Sequence, residues 1–223
     1  MTDRLSYRAI GWLGIANFLL IVVPIFIAPI PPFGPDADLI TFNTVHRSAL
    51  ILGNYLGVLQ LPIGLIWLVF ISAVTRQAEE NNQHGWLWLL VLGSSLCATA
   101  VATVLAFFFF LGPFIMSLGQ PALLLLGQLG LYGIDISYSI QALLLGTIGL
   151  ATFRLRFLPP WLGYIAWLAA MLSALGTVGL LVSSGPLAAT SPVALFAAGF
   201  SLPIWILLVS IYWLVHPASY QHP

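Results

Sequence analysis

Residues 86–110 read WLWLLVLGSSLCATAVATVLAFFFF, a run of 25 residues without one charged side chain. A helix of about 20 apolar residues crosses the hydrocarbon core of a bilayer, so this stretch predicts a transmembrane helix. Hydrocarbon offers no partner to backbone N–H and C=O groups, and a helix satisfies these groups internally. The same criterion along the chain predicts six spans, at residues 9–30, 49–74, 86–110, about 134–153, 161–183 and 193–214.

The composition agrees with this interpretation. Hydrophobic residues make up 61% of the 223 residues and charged residues 5%, and the mean hydropathy is +1.06. A soluble domain carries about a quarter charged residues, so we predict one transmembrane domain over residues 1–223, an all-α bundle held in the lipid bilayer. Six arginines balance six acids and lysine is absent, which excludes a nucleic-acid partner and a lysine Schiff base.

The arginines predict an orientation. With six spans, all but one of them fall on the same side of the membrane: Arg4, Arg8, Arg76, Arg154 and Arg156. Only Arg47 lies on the other side. The positive-inside rule makes the arginine-rich side cytoplasmic, with both termini inside a bacterial cytoplasmic membrane. Tryptophans that favour the membrane interface lie at the same ends of the spans: Trp12, Trp86, Trp88, Trp161 and Trp213.

Two segments between the spans need an interpretation. Residues 113–133 (PFIMSLGQPALLLLGQLGLYG) are apolar but interrupted by proline and glycine, which predicts an interfacial or re-entrant helix of the outer leaflet. The alternative is one long, tilted fourth helix that begins at Pro121, with Asp135 about mid-membrane. Residues 75–84 (TRQAEENNQH) are predicted to form a solvated cytoplasmic turn.

Asp135 is the only carboxylate within a long apolar segment. A charge in hydrocarbon costs about 3 kcal/mol or more unless it is paired, protonated or wetted. Asp135 precedes Arg154 by 19 residues, or about 28 Å of helix, which places it near the outer edge of the hydrocarbon. Three interpretations remain open: a structural ion pair with Arg47 or a hydrogen-bonded carboxylate that joins the second span to the fourth, a functional role in proton or ligand binding, or exposure to headgroup water.

The polar residues near the predicted depth of Asp135 are the candidate site. The ligand-binding candidates are Asp135, Arg47, Asn54, Tyr55, Gln128 and Gln141; the catalytic candidates are Asp135, Tyr132, Tyr138 and His46. No known catalytic spacing occurs, and the histidines, at positions 46, 84, 216 and 222, form no metal-binding motif. The single cysteine excludes a thiolate cluster. We therefore predict neither a metal nor a cofactor.

Residues 153–180 (FRLRFLPPWLGYIAWLAAMLSALGTVGL) contain an arginine-rich turn followed by Leu-Pro-x-Trp-Leu-Gly at the start of the fifth span. This arrangement, together with Pro-Ile-Trp at residues 203–205, resembles a broad family of six-helix bacterial membrane proteins of unknown function, common in actinobacteria. The resemblance covers the last third of the chain. It implies a fold and carries no activity or functional residue.

Three classes of function are compatible with the sequence. The first is a protein that binds a lipophilic or small polar ligand from the outer leaflet or assists a membrane complex. The second is a small membrane enzyme, such as an isomerase or cyclase, that uses Asp135 as acid or base. The third is a transporter or channel, which the few polar residues in the spans disfavour. Small residues at four-residue spacing, including Gly53 and Gly57, would allow homo- or hetero-oligomers.

Overall fold

The chain folds into helices and connecting turns, without a strand, over the residues that a computed structural model describes: 2–29, 38–82, 85–114, 117, 119–182 and 191–216. Eight α-helices lie in these ranges: α1 (Thr2–Ile27), α2 (Leu39–Val45), α3 (Arg47–Asn82), α4 (Leu87–Leu111), α5 (Gln120–Leu155), α6 (Pro160–Gly176), α7 (Pro192–Gly199) and α8 (Ser201–Val215). Short 3-10 helices at Gly112–Phe114 and Thr177–Leu180 follow α4 and α6. The predicted all-α class is confirmed for this part of the chain.

Five helical segments have the length and composition of a membrane span: Tyr7–Ile27, Arg47–Glu80, Leu87–Phe107, Gln120–Leu155 and Phe196–Val215. They correspond to five of the six predicted spans. The remaining prediction, residues 161–183, corresponds to α6, which is apolar but has only 17 residues. The described residues therefore form an apolar helical bundle of the kind found in membranes.

An aromatic cluster joins the first helix to the last. The Tyr7 ring lies 5.5 Å from Phe70 and 5.9 Å from Trp213, centroid to centroid. Trp67 lies 5.8 Å from both Trp205 and Trp213. Trp213, one of the tryptophans predicted for an interfacial belt, is fully buried in this cluster, so protein covers its side chain. Trp12, Trp86 and Trp161 are exposed, as such a belt requires.

Glycines allow α1 to approach its neighbours closely. A Cβ atom on Gly14 would collide with the Ser210 hydroxyl of α8 and the Trp67 indole of α3. Gly11 packs in the same way against Ser210 and Leu214 near the end of α8, so the start of α1 and the end of α8 share one end of the bundle. These contacts follow the small-residue rule for helix packing in membranes.

Helix α5 corrects the prediction for residues 113–133. It is one uninterrupted helix from Gln120 to Leu155, about 54 Å long, so no separate interfacial or re-entrant helix occurs within it. Pro121 lies in the first turn, where a missing N–H costs no hydrogen bond. Gly133 does not break the helix, because a break would leave backbone groups unsatisfied, and Leu105 of α4 fills the space of its missing side chain.

The short helix α2 lies beside the start of α5. The Asp38 carboxylate accepts a hydrogen bond from the Thr41 N–H at 3.0 Å and caps the helix. Hydrogen bonds from the Thr41 side chain and backbone hold the pKa of the Asp38 carboxyl below its usual value. The Ile40 N–H donates to Gln120 Oε1 at 3.3 Å, which connects α2 to the first residue of α5.

The predicted turn at residues 75–84 is also corrected. Helix α3 continues to Asn82, and Glu79 in its last turns is buried. The Glu79 carboxylate accepts hydrogen bonds from the Leu87 N–H at 2.6 Å and the Trp88 N–H at 3.2 Å. These are the first N–H groups of α4, which have no acceptor within their own helix. Glu79 therefore caps α4 and complements its helix dipole.

This geometry predicts unequal effects for two adjacent acids. Replacement of Glu79 by Ala removes both caps and should lower the free energy of unfolding by about 2 kcal/mol. Glu80 forms only an exposed ion pair with Arg76, at 2.9 Å, so Glu80→Ala should change the stability by about 0.5 kcal/mol or less. Thermal unfolding in one detergent compares the two variants. Equal losses would contradict the capping role of Glu79.

Candidate functional site around Asp135

Asp135 lies in the middle of α5 with only 1% of its surface exposed. Neither of its carboxylate oxygens has a hydrogen-bond partner among the described residues. Glu79, the other described acid that is buried, accepts two backbone hydrogen bonds. Burying a carboxylate without a partner is strongly unfavourable. Asp135 is therefore the first candidate for a functional group.

The face of α5 that carries Asp135 is directed towards the end of α6. Ser139 lies one turn from Asp135 on this face, and its hydroxyl is 3.5 Å from the Thr177 hydroxyl. Thr177 begins the 3-10 helix Thr177–Leu180, which packs against α5. Ile136 and Ser139 are exposed, so the buried carboxylate lies directly behind the surface of the bundle.

A row of hydroxyl groups leads from this face into the bundle. The Thr177 hydroxyl donates to the Ser173 carbonyl at 3.3 Å. The Ser173 and Ser201 hydroxyls are 2.7 Å apart, and both residues are buried. Ser201 donates its single hydroxyl proton to the Ala198 carbonyl at 2.7 Å, so Ser173 must be the donor to Ser201. The hydroxyls of Ser139, Thr177, Ser173 and Ser201 therefore connect α5, α6 and α8.

Tyr138 is the aromatic member of the site. Its side chain is buried, and its ring packs against Gly176 at the end of α6. A Cβ atom on Gly199 of α7 would lie 3.4 Å from the Tyr138 hydroxyl. Tyr138 follows Asp135 by three residues in α5, so the two side chains are neighbours on the helix surface. The structure thus brings together two of the four catalytic candidates, Asp135 and Tyr138.

The ion pair between Asp135 and Arg47, one of the interpretations that the sequence left open, does not form among the described residues. Among the described residues the only ion pair joins Arg76 to Glu80, and Arg47 is exposed at the start of α3. The reason is the direction in which the Asp135 side chain points from α5. Gly133, about 200° around α5 from Asp135, contacts Leu105 of α4, and α4 in turn packs against α3. Asp135 points away from that side, towards α6.

The other predicted residues are dispersed. Asn54 and Tyr55 belong to α3, on the side of α5 that Asp135 does not face. Tyr132 and Gln128 lie on α5 with exposed side chains. The Gln141 Oε1 atom is buried without a hydrogen-bond partner.

The histidines of the prediction do not meet Asp135 either. His46 ends α2, and its ring lies 4.9 Å from Phe42. His84 and His222 lie outside the described residues. The structure thus gives no contact between Asp135 and His46, the histidine named as its catalytic partner.

Sequence reasoning missed two groups of polar residues. The first is the row of hydroxyls, because serine and threonine are common in spans and carry no charge. The second is a partly buried amide pair, in which Gln60 Nε2 of α3 donates to Asn17 Oδ1 of α1 at 3.0 Å. Both amides are visible in the sequence as strongly polar residues within predicted spans 9–30 and 49–74. A pair of amides within predicted spans could therefore have been predicted to hydrogen-bond to each other.

The chemistry open to the Asp135 site follows from its donors and acceptors. A carboxylate in an apolar setting either carries a proton or receives a donor from another molecule. The nearby hydroxyls can donate or accept, which suits a small polar group. The exposed apolar side chains beside them suit a hydrophobic body. The site is therefore complementary to a molecule with an apolar part and a donor or cationic head.

The chain was compared with protein-family models, with curated protein sequences and with solved structures. None of the three comparisons gave a match. The resemblance of residues 153–180 to six-helix bacterial membrane proteins therefore stays a prediction.

An Asp135→Asn variant tests whether the carboxylate is structurally paired. It keeps the side-chain shape and removes the charge, so the free energy of unfolding should remain unchanged or rise by about 1 kcal/mol. Ser173→Ala is the matched control, because it removes a hydroxyl that donates to Ser201, and it should lower the stability by about 1 kcal/mol. Thermal unfolding in detergent measures both variants. A loss of about 3 kcal/mol for Asp135→Asn would instead indicate a broken buried ion pair.

Proposed function

We propose that the chain is a six-span membrane protein with both termini in the bacterial cytoplasm, and that it binds a lipophilic or small ligand at Asp135 from the outer leaflet. The observation that carries this proposal is the buried carboxylate without a partner. A ligand that brings a hydrogen-bond donor or a positive charge would supply the missing interaction. The exposed face beside Asp135 gives such a ligand a route from the lipid phase.

The helix lengths support six spans. The 17 residues of α6 measure about 26 Å, and the four residues of Thr177–Leu180 add about 8 Å. Together they match the roughly 30 Å of hydrocarbon. The fifth predicted span then consists of a short α-helix that tightens into a 3-10 helix at its outer end, beside the candidate site.

The positions of the arginines support the orientation. Tyr7 packs against Trp213, and Trp161 lies 6.4 Å from Tyr212, so the starts of α1 and α6 share an end of the bundle with the end of α8. Five of the six arginines belong to that end: Arg4 and Arg8 lie in the first turns of α1, Arg76 near the end of α3, Arg154 in the last turn of α5 and Arg156 directly after it. The positive-inside rule makes that end cytoplasmic. Asp135 precedes Arg154 by 19 residues and so lies about 28 Å along α5 from it.

Binding fits this geometry better than catalysis or a purely structural role. Catalysis by acid and base needs a second titratable group within reach of the carboxylate, and Tyr138 alone meets that need among the predicted candidates. A structural carboxylate would be expected to accept hydrogen bonds, as Glu79 does. A binding site instead leaves its polar group available to the ligand.

Labelling of introduced cysteines tests the orientation. The single cysteine, Cys97, is first replaced by Ser. Arg47→Cys and Arg76→Cys each then place one thiol at an exposed position at opposite ends of α3. A membrane-impermeant maleimide should label the Arg47→Cys variant in intact cells, and the Arg76→Cys variant only after lysis. The reverse pattern, or labelling of both variants in intact cells, would overturn the proposed orientation.

Carbodiimide labelling tests the binding site, because these reagents attach to carboxyl groups. Apolar dicyclohexylcarbodiimide, which dissolves in the bilayer, should label Asp135 in proteoliposomes. A water-soluble carbodiimide should label the exposed Glu80 instead. Mass spectrometry of peptides locates the adducts, and Asp135→Asn controls for the site.

Two amphiphiles then test the kind of ligand. Dodecylamine below its micellar concentration should slow the labelling of Asp135, because its ammonium group pairs with the carboxylate. Dodecanoate, of similar chain length but negative charge, should not. No labelling of Asp135 in the folded protein would mean a site closed to the lipid phase. Equal protection by both amphiphiles would contradict recognition of a donor or cationic head.

A further inference from the structure

A second surface feature lies at the arginine-rich end of the bundle, away from Asp135. It is a groove of about 500 Å³ between α5 and α6, lined by Phe153, Tyr164, Trp167, Leu168 and Met171. The four residues from α6 follow helical spacing on one face, and all four are exposed. From Tyr164 to Met171 the groove extends for about 10 Å along the helix. It therefore starts near the end of the span and runs towards the middle of the membrane.

Close helix contacts form the floor of this groove. The Phe153 ring lies 4.8 Å from Tyr164 and 6.5 Å from Trp167. A Cβ atom on Gly149 would collide with the Trp167 ring, and a Cβ atom on Gly163 would lie 3.1 Å from the Phe153 ring. The two glycines thus leave room for both aromatic rings to approach the helix backbones closely. The groove is a consequence of this packing and not of loosely placed surface side chains.

Positive charge lies close in sequence to Phe153, the residue of α5 that lines the groove. Arg154 follows Phe153 in the sequence and is exposed, and Arg156 is exposed just beyond the end of α5. Arg154 is eleven residues after the exposed Leu143, which places both on the same lipid-facing side of α5. Neither arginine has an ion-pair partner in the described part of the chain. An apolar groove with two exposed arginines near the same end of α5 is complementary to an anionic amphiphile.

We infer that this groove is a binding site for an anionic phospholipid of the cytoplasmic leaflet. An acyl chain lies along Trp167, Leu168 and Met171, and the phosphate is held at Arg154 and Arg156. The exposed Tyr164 lies between these two regions, at the depth where tyrosines favour the interface. A phospholipid is the occupant that uses both halves of the site, because a free phosphate would use only the arginines.

Native mass spectrometry of the full chain in detergent tests this inference by titration with two lipids. Phosphatidylglycerol and phosphatidylcholine with the same palmitoyl and oleoyl chains differ only in head group. The wild-type protein should bind phosphatidylglycerol more tightly. Arg154→Gln should weaken phosphatidylglycerol binding about fivefold and leave phosphatidylcholine binding unchanged. Arg8→Gln, which removes an exposed arginine of α1 at the same end of the bundle, is the matched control and should have no such effect.

Met171→Trp tests the apolar half, because a larger side chain in the groove should weaken the binding of both lipids. Circular dichroism and thermal unfolding confirm that each variant is folded. Equal affinity of the wild type for both lipids, or equal effects of Arg154→Gln and Arg8→Gln, would overturn the inference. Displacement of the lipid by millimolar inorganic phosphate would show that the arginines bind an anion alone and that the apolar groove does not contribute to binding. A dimer that Met171→Trp abolishes would show that a second copy of the chain occupies the groove.

Discussion

Hydrocarbon cannot hydrogen-bond to the polypeptide, and this constraint underlies the rest of the structure. Backbone groups in the apolar stretches find partners within their own helix, so the described residues form long helices without strands. The constraint explains why α5 continues through Gly127, Gly130 and Gly133, residues that would favour a turn in water. It also explains the cap at the α3–α4 connection, where Glu79 accepts the free N–H groups that α4 leaves at its start.

The same constraint applies to polar side chains. Several hydroxyls in the helices donate to the carbonyl one turn earlier, as Ser72, Thr75 and Ser95 do. The amides of Asn17 and Gln60 pair with each other across α1 and α3. Asp135 differs because it is buried in charge-free surroundings and its oxygens find no partner in the described chain. A strongly polar group that the fold leaves unsatisfied is best explained by a partner from outside the chain.

Charged groups and apolar surfaces have different roles at the two proposed sites. At Asp135 the polar group is buried and the apolar surroundings exclude water, so the carboxylate would select a ligand by its donor. At the α5–α6 groove the apolar surface is shaped by Gly149 and Gly163, while Arg154 and Arg156 lie exposed near the end of α5. Screening weakens exposed charges, so there the arginines would set a preference among lipids, and the groove would provide most of the contact.

The sequence by itself determined the class of protein, the number of apolar stretches and the residue most in need of a partner. Hydropathy and charge are local properties, and they can be read without knowing which helices touch. The partner of Asp135 could not be read in this way. The number of residues between Asp135 and Arg154 gives a depth along the membrane normal. It does not give the direction in which the Asp135 side chain points from α5, so it could not show that Asp135 faces α6 and not Arg47. For the same reason the sequence did not reveal the row of hydroxyls from Ser139 to Ser201 or the cap that Glu79 forms on α4. Only tertiary structure, through the packing of α5 between α4 and α6, decided which side chains meet.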